Sequence, residues 1–466
     1  MNNQLEPDAR LNASFRDPNG FLFRKAGILY RQVNPSYAEH YQMLMESGLY
    51  ERLTSKGWLI PHTEVDLSLA QTEAAVKILQ PELVPFLSFP YEWSFGQLKD
   101  AALMTLKIQV AALKKGMILK DASAYNVQFV NGKPVFIDTL SFEKYEEGQP
   151  WVAYRQFCQH FLAPLLLAHY KDVRLAGLSR LFIDGVPLDM AASLMPRRSW
   201  FKLGIATHIH LHSRAQTRYA DDVPDEPAKA RKLSRKSLDN IVTSLYDTVK
   251  GLKWQADTTE WAEYTQGNSY NQAGLQGKKD LVKQYIDQVK PQVVWDLGAN
   301  TGLFSRIASS QGIQTVAWDI DPGAVELNYR QIKANKDQNL LPLVLDLTNP
   351  SPAIGWANTE RESFGQRSNA DLILALALIH HLAISNNVPL AHVAQFMSGL
   401  AEWLVIEFVP KEDPKVQKLL ASREDIFPDY TQSGFEAAFS GSFNIVKSEQ
   451  VQNSQRTMYL MQRREE

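Results

Sequence analysis

Two stretches of the chain carry residue types whose spacing could do chemistry. In "VVWDLGANTGLFS" a β-branched run ends in Asp296-Leu297-Gly298-Ala299-Asn300-Thr301-Gly302. Glycines there let the backbone turn tightly and approach a ligand closely, and a helix starting after them offers free N–H groups, so the turn suits a nucleotide-like cofactor. In "MILKDASAYNVQFVNGKPVFIDTLSF" the residues Asp121, Asn126 and Asp138 stand at intervals that suit a Mg2+-nucleotide site. Two such chemistries on one chain call for two scaffolds.

The scaffold of the first is an alternation of strands and helices. "QVVWDLGA", "QTVAWDI", "LPLVLDL", "ADLILALAL" and "EWLVIEF" read as buried strands, with helical stretches such as "PGAVELNYRQIKAN" between them. That alternation predicts a doubly wound, mostly parallel α/β sheet. The final pair, "SFNIVKSEQV" and "RTMYLMQRR", predicts an antiparallel hairpin at its edge. Ahead of the sheet, Trp261, Tyr264 and Tyr270 could form a lid or simply pack.

The scaffold of the second is a mixed α+β region. "ASFRDPNGFLFRKAGILYRQV" alternates around two turn signals, Pro18-Asn19-Gly20 and Ala26-Gly27, and predicts three short strands. A helical stretch follows from Asn34, its cap, to about Leu59, and "AAVKILQPELVPFLSFPYEWS" returns to strand character. The amphipathic helix "FGQLKDAALMTLKIQVAALKKG" leads directly into Met117, and Asn131-Gly132 marks a hairpin turn. Residues 151 to 215 read as helices, and the charged, Pro-containing "RAQTRYADDVPDEPAKARKLSRKS" as a linker. The expected layout is residues 1–213 (a small lobe to about 93, then a helical lobe), a linker and connecting helix over 214–254, and 255–466.

Composition narrows the classes. With 466 residues the chain exceeds one ordinary core, and 45% hydrophobic with 21% charged residues is a globular composition. A net charge of −2 gives no basic excess, so nucleic acid is not an expected partner. The single cysteine, Cys158, excludes an intramolecular disulfide framework and a thiolate-rich zinc site. The longest apolar run is too short to span a bilayer and the N-terminus has no basic-then-apolar signal, so the default expectation is cytoplasmic. His208, His210 and His212 alternate in "THIHLHSRAQ", but the segment continues a helical stretch without nearby carboxylates, which argues against zinc.

The D-x-G-x-N-x-G turn resembles the first motif of class I S-adenosylmethionine (SAM) methyltransferases, with Asn300 at the middle glycine. Asparagine tolerates the left-handed backbone better than most residues. The resemblance implies a seven-stranded methyltransferase sheet over about 255–466, with Asp296, Gly298, Asn300 and Gly302 around SAM. Asp319, or alternatively Asp321, would meet the ribose hydroxyls, and Asp346 the adenine amino group. His380 and His381, after the fourth strand, stand where α/β sheets bind ligands and could serve as general base toward a hydroxyl or pack beside the cofactor. Glu407 is a comparable candidate.

Asp121-x4-Asn126 with Asp138 resembles a protein-kinase-like catalytic loop and metal-binding aspartate. The resemblance implies a kinase-like fold in which Asp121 orients the attacking hydroxyl while Asn126 and Asp138 hold Mg2+ on ATP. Arg31 would replace the phosphate-binding lysine, with Glu39 or Glu46 as its helix partner and "PFLSFPYEWS" as strand and hinge. The chain departs from the kinase pattern in Leu119-Lys120-Asp121, in Asp138-Thr139-Leu140 and in a phosphate loop reduced to "DPNG". Taken together, the order of motifs resembles a family of bacterial two-part SAM-dependent methyltransferases, some described as nodulation-protein-like. It implies O-methylation of a glycan or small hydroxylated metabolite, with a kinase-like domain that phosphorylates or presents the acceptor. The alternative is a nucleotide-sensing regulatory protein in which an inactive kinase-like domain gates the methyltransferase.

Overall fold

Alternation and turn chemistry at the start of the chain yield a hairpin. Strands β1 (Gly20–Lys25) and β2 (Ile28–Val33) pair antiparallel across Ala26-Gly27, both in the left-handed region at φ 50° and 78°. This is a computed structural model, and it describes residues 10–214, 233–256, 272–421 and 423–465. Strands β3 (His62–Val65) and β4 (Lys77–Pro81) complete a four-stranded antiparallel sheet in the order β1-β2-β4-β3. Two strands, not the expected three, precede residue 34, because Asn12–Ser14 folds as a single helical turn whose Ser14 hydroxyl accepts the Leu22 N–H at 2.8 Å.

The expected helix after Asn34 is two helices, Ala38–Glu46 and Leu49–Ser55, separated by Gly48 at φ 70°. Asn34 precedes a one-turn helix, Pro35–Tyr37, without a side-chain cap. The helix Phe95–Lys114 opens with a reciprocal cap: the Ser94 hydroxyl accepts the Gln97 N–H, and the Gln97 side chain accepts the Ser94 N–H. Gly116 at φ 74° stops it. "PFLSFPYEWS" forms no strand. Gln128 accepts the Ser88 N–H at 2.8 Å and donates to its carbonyl at 2.9 Å, occupying the groups a neighbouring strand would use, and Pro90–Glu92 is a helical turn.

Strands β5 (Met117–Leu119) and β8 (Phe142–Lys144) pair antiparallel, and between them β6 (Val127–Val130) and β7 (Lys133–Phe136) form the expected hairpin over Asn131-Gly132 at φ 50° and 69°. The helix Arg235–Gly251, read from sequence as a connector, is part of the same unit. Lys99 Nζ donates to the Lys250 and Leu252 carbonyls at its end, and Arg235 donates to the Leu113 carbonyl at its start. This N-terminal unit therefore runs to Trp254 and also takes in Ala353–Glu362, where Glu360 pairs with Arg16 at 2.8 Å and Arg361 lies 4.5 Å over the Tyr125 ring.

The C-terminal unit, Gln255–Pro352 with Ser363–Glu466, is built on one sheet. Its strands are β9 (Val293–Leu297), β10 (Gln314–Asp319), β11 (Leu340–Val344), β12 (Leu372–Ala375), β13 (Trp403–Phe408), β14 (Phe443–Gln450) and β15 (Thr457–Arg463). Their order is β11-β10-β9-β12-β13-β15-β14, the first five parallel and β15 antiparallel to both neighbours. The near-continuous apolar sequence of β9 and β12 follows from burial on both faces. On one of them Val282, Tyr285 and Ile286 of the helix Gln272–Val289 pack on Val294, Leu374, Val405 and Leu460. No helix among the described residues is long and apolar enough to cross a membrane.

Candidate functional site

Strand order reverses at β9: β10 lies on one side and β12 on the other, so the connections after β9 and β12 leave in opposite directions and open a crevice at the carboxyl ends. A pocket of about 440 Å3 fills it. Its wall includes Gly298 and Asn300 after β9, Asp319 at the end of β10 and Ile320 after it, Asp346 after β11, and Leu378 and His381 after β12. Gly298, Asn300 and Gly302 all take positive φ, at 78°, 51° and 78°. Asn300 thus occupies the left-handed conformation its sequence position required. A Cβ at Gly302 would stand 2.4 Å from Asn328 Nδ2 and 2.8 Å from Arg306 Nη1, so the turn is also closed by packing.

The acidic residues separate by role. Asp319 Oδ2 accepts the Asn300 N–H at 2.7 Å and Oδ1 the Asp321 N–H at 2.8 Å, which fixes the carboxylate at the pocket wall with further lone pairs remaining. Burial pushes its pKa up to about 6, against those hydrogen bonds. Asp296, on the same wall, is likewise pushed up to about 6 by burial, and its Oδ2 accepts from Ser305 Oγ at 2.6 Å. Asp321 caps the helix Pro322–Asn335 by accepting the Gly323 N–H, and is not part of the wall. Asp346 lines the pocket and accepts from the Thr348 N–H and hydroxyl.

Of the three candidate bases, the pocket wall holds His381. Burial, then the charge of Lys415, lowers its pKa, which keeps the imidazole neutral and able to accept a proton. His380 is 1% exposed, its ring lies tilted at 4.2 Å from that of His381, and neither of its ring nitrogens has a hydrogen-bond partner among the described residues. Glu407 is fully buried, paired with Lys278 Nζ at 2.6 Å and with Arg456 at 3.4 Å, while Arg456 Nε also pairs with Asp413 at 2.7 Å. Lys278 and Arg456 line the pocket, so Glu407 reaches it only through them. Neither cation was marked by any sequence pattern: Lys278 stands in a lysine-rich helix, and only tertiary packing puts it there. The aromatic residues Trp261, Tyr264 and Tyr270 lie outside the described residues.

In the N-terminal unit the expected constellation does come together. Asn126 donates to Ser141 Oγ at 3.3 Å and hydrogen-bonds Asp121, and Ser141 Oγ donates to Asp138 Oδ2. Burial, then Asp138, raises the pKa of Asp121. Arg31 Nη1 pairs with Asp138 Oδ1 at 2.7 Å and Nη2 with Asp17 Oδ2 at 2.9 Å. Its expected helix partners are elsewhere: Glu39 pairs with Lys144 at 3.3 Å and Glu46 accepts from Gln42. A divalent cation at Asn126 and Asp138 needs unclaimed carboxylate oxygens. Asp138 Oδ1 already holds the Arg31 guanidinium and the Leu140 N–H, with Ser141 on Oδ2, so a positive charge stands on the carboxylate where the ion would bind and the side chains as arranged do not fit one. Among the described residues no group of three His, Cys, Asp or Glu could hold a metal. His208 bonds Tyr154 and Ser244, and His210 bonds Ser199 and stacks on Trp200 at 4.2 Å.

A seven-stranded sheet in this order, with an antiparallel seventh strand and a Gly/Asn turn after its central strand, defines the class I methyltransferase fold. The chain belongs to the family of the nodulation protein NoeA: it is 37% identical over 463 residues to NoeA of Rhizobium meliloti (strain 1021), covering 98% of this chain and 96% of that protein. No family model matches it. Similar solved structures include magnesium protoporphyrin IX methyltransferase (ChlM) of Synechocystis PCC 6803 with bound SAH, at 15% identity and TM-score 0.32, covering 45% of this chain and 96% of that one. They also include the bifunctional kinase-methyltransferase WbdD, at 16% identity and TM-score 0.29, covering 43% and 42%. The fold rests on the strand order itself.

Proposed function

We propose that the C-terminal unit is a SAM-dependent O-methyltransferase whose acceptor is a glycan or a small hydroxylated metabolite. The observation that carries this reading is the pocket at the β9 switch point, where a positive-φ turn, a fixed Asp319 and Asp346 stand around one crevice. Its residues fit the cofactor: Asp319 offers remaining lone pairs to a ribose diol, Asp346 stands for the adenine edge, and Gly298 lets the backbone approach. The cofactor supplies an electrophilic methyl on a sulfonium, and its transfer forms the O–CH3 bond as the S–CH3 bond breaks with the electron pair staying on sulfur. The chain's own task is position and proton removal. Neutral His381 accepts the hydroxyl proton, and Lys278, held by Glu407, lines the same pocket.

For the N-terminal unit the reading is a kinase-like framework that presents the acceptor. The juxtaposition of Asp121, Asn126 and Asp138 supports the framework, and the Arg31 pairing on Asp138 favours presentation over phosphoryl transfer. The direct test is transfer of label from methyl-labelled SAM into lysates of cells lacking the protein. Wild type should label a product and His381→Gln should lower the rate about a hundredfold with cofactor affinity kept. Absence of SAM binding by the intact protein ends the reading.

A further inference from the structure

Arg31 stands in the middle of β2, an inner strand, flanked by Leu22 on β1 and Leu79 on β4, so its backbone is held from both sides. Its side chain is 11% exposed and bridges two carboxylates that come from different loops: Asp17, in the turn before β1, and Asp138, after β7. Lys120 Nζ lies 4.0 Å from the second oxygen of Asp17. On the far side, Asp138 is joined through Ser141 to Asn126, and Asn126 to Asp121. The result is a continuous chain, Asp17–Arg31–Asp138–Ser141–Asn126–Asp121, in which one guanidinium lies between two carboxylates and neutralises them.

We propose that Arg31 is the resident cation of this constellation, occupying the place of a divalent metal between Asp17 and Asp138, so that the N-terminal site works without metal and Arg31 and a divalent cation exclude each other. Without Arg31 the two carboxylates would keep Lys120, 4.0 Å from Asp17, and the neutral donors Asn19, Leu140 and Ser141, and their uncompensated negative charge would favour another cation. A guanidinium spans both with two N–H groups, and an ammonium has no such fork. The proposal is independent of methyl transfer at the C-terminal unit, and its test does not read that activity.

The experiment is Mn2+ binding, by calorimetry and by electron paramagnetic resonance, to the full-length metal-stripped protein. Wild type and Asp138→Asn should be indistinguishable, with no Asp138-dependent Mn2+. Arg31→Gln should gain one equivalent of Mn2+ at least about tenfold tighter than any binding to wild type, and Arg31→Gln/Asp138→Asn should lose it. Arg31→Lys, which keeps a charge inside the sheet, is the second variant if Arg31→Gln fails to fold; it should gain the same site more weakly. A stoichiometric Mn2+ on wild type that Asp138→Asn removes, or a folded Arg31 variant that gains none, overturns the proposal.

Discussion

Asp319 makes the cofactor reading sensitive to pH with a sign that can be worked out. Burial holds its pKa at about 6, above the unfolded value near 4. For folding, a raised acid contributes most below the unfolded value, and that contribution is lost as pH rises through 6. For binding the direction is opposite, because a ribose diol donates more strongly to the carboxylate than to the acid. At pH 5, one unit below the pKa, roughly one carboxyl in eleven is ionised, so affinity for S-adenosylhomocysteine should fall about tenfold from its value at pH 7.5. Asp296 lines the same pocket and titrates in the same range, so Asp319→Asn is the control. Both Asp319 oxygens accept backbone N–H groups, from Asn300 and Asp321, and the amide must turn a donor toward one of them. That should cost about 1–3 kcal/mol in stability and weaken binding at pH 7.5 by roughly a hundredfold. Calorimetric titration of wild type and variant from pH 5 to 7.5 decides the matter. A flat wild-type profile, or an unchanged slope in a folded Asp319→Asn, refutes the assignment.

Lys278→Met should destabilise the protein by about 3 kcal/mol in urea unfolding, since it takes the 2.6 Å cation from fully buried Glu407 and leaves Arg456 at 3.4 Å, and Lys278→Met/Glu407→Gln should recover much of the loss. Gly298→Val puts a β-branched residue at φ 78° with its Cβ 3.3 Å from Leu378, and should abolish S-adenosylhomocysteine binding in the same calorimetric assay. Arg361→Ala removes a cation lying over Tyr125 and should lower the midpoint of the N-terminal unit's thermal unfolding, by an amount equivalent to about 1–2 kcal/mol.

Local rules written in the sequence determined a good deal. Period-2 and continuous apolar runs marked the parallel strands and the terminal hairpin, and turn chemistry marked Ala26-Gly27, Asn131-Gly132 and the Asn300 turn, because backbone conformation at such positions depends on a few neighbouring atoms. The same reasoning misread "PFLSFPYEWS", where a side chain forty residues away, Gln128, takes the backbone groups of Ser88. Nor could it separate Asp319 from Asp321, or His381 from His380. Neighbouring residues of the same type have the same local signal, and only where the folded backbone aims each side chain decides which one faces the pocket and which one caps or packs. The charge partners were beyond sequence altogether: Lys278 with Glu407 across 129 residues and Arg31 with Asp138 across 107 meet only when long-range pairing brings buried charges together, since each needs the other to leave water.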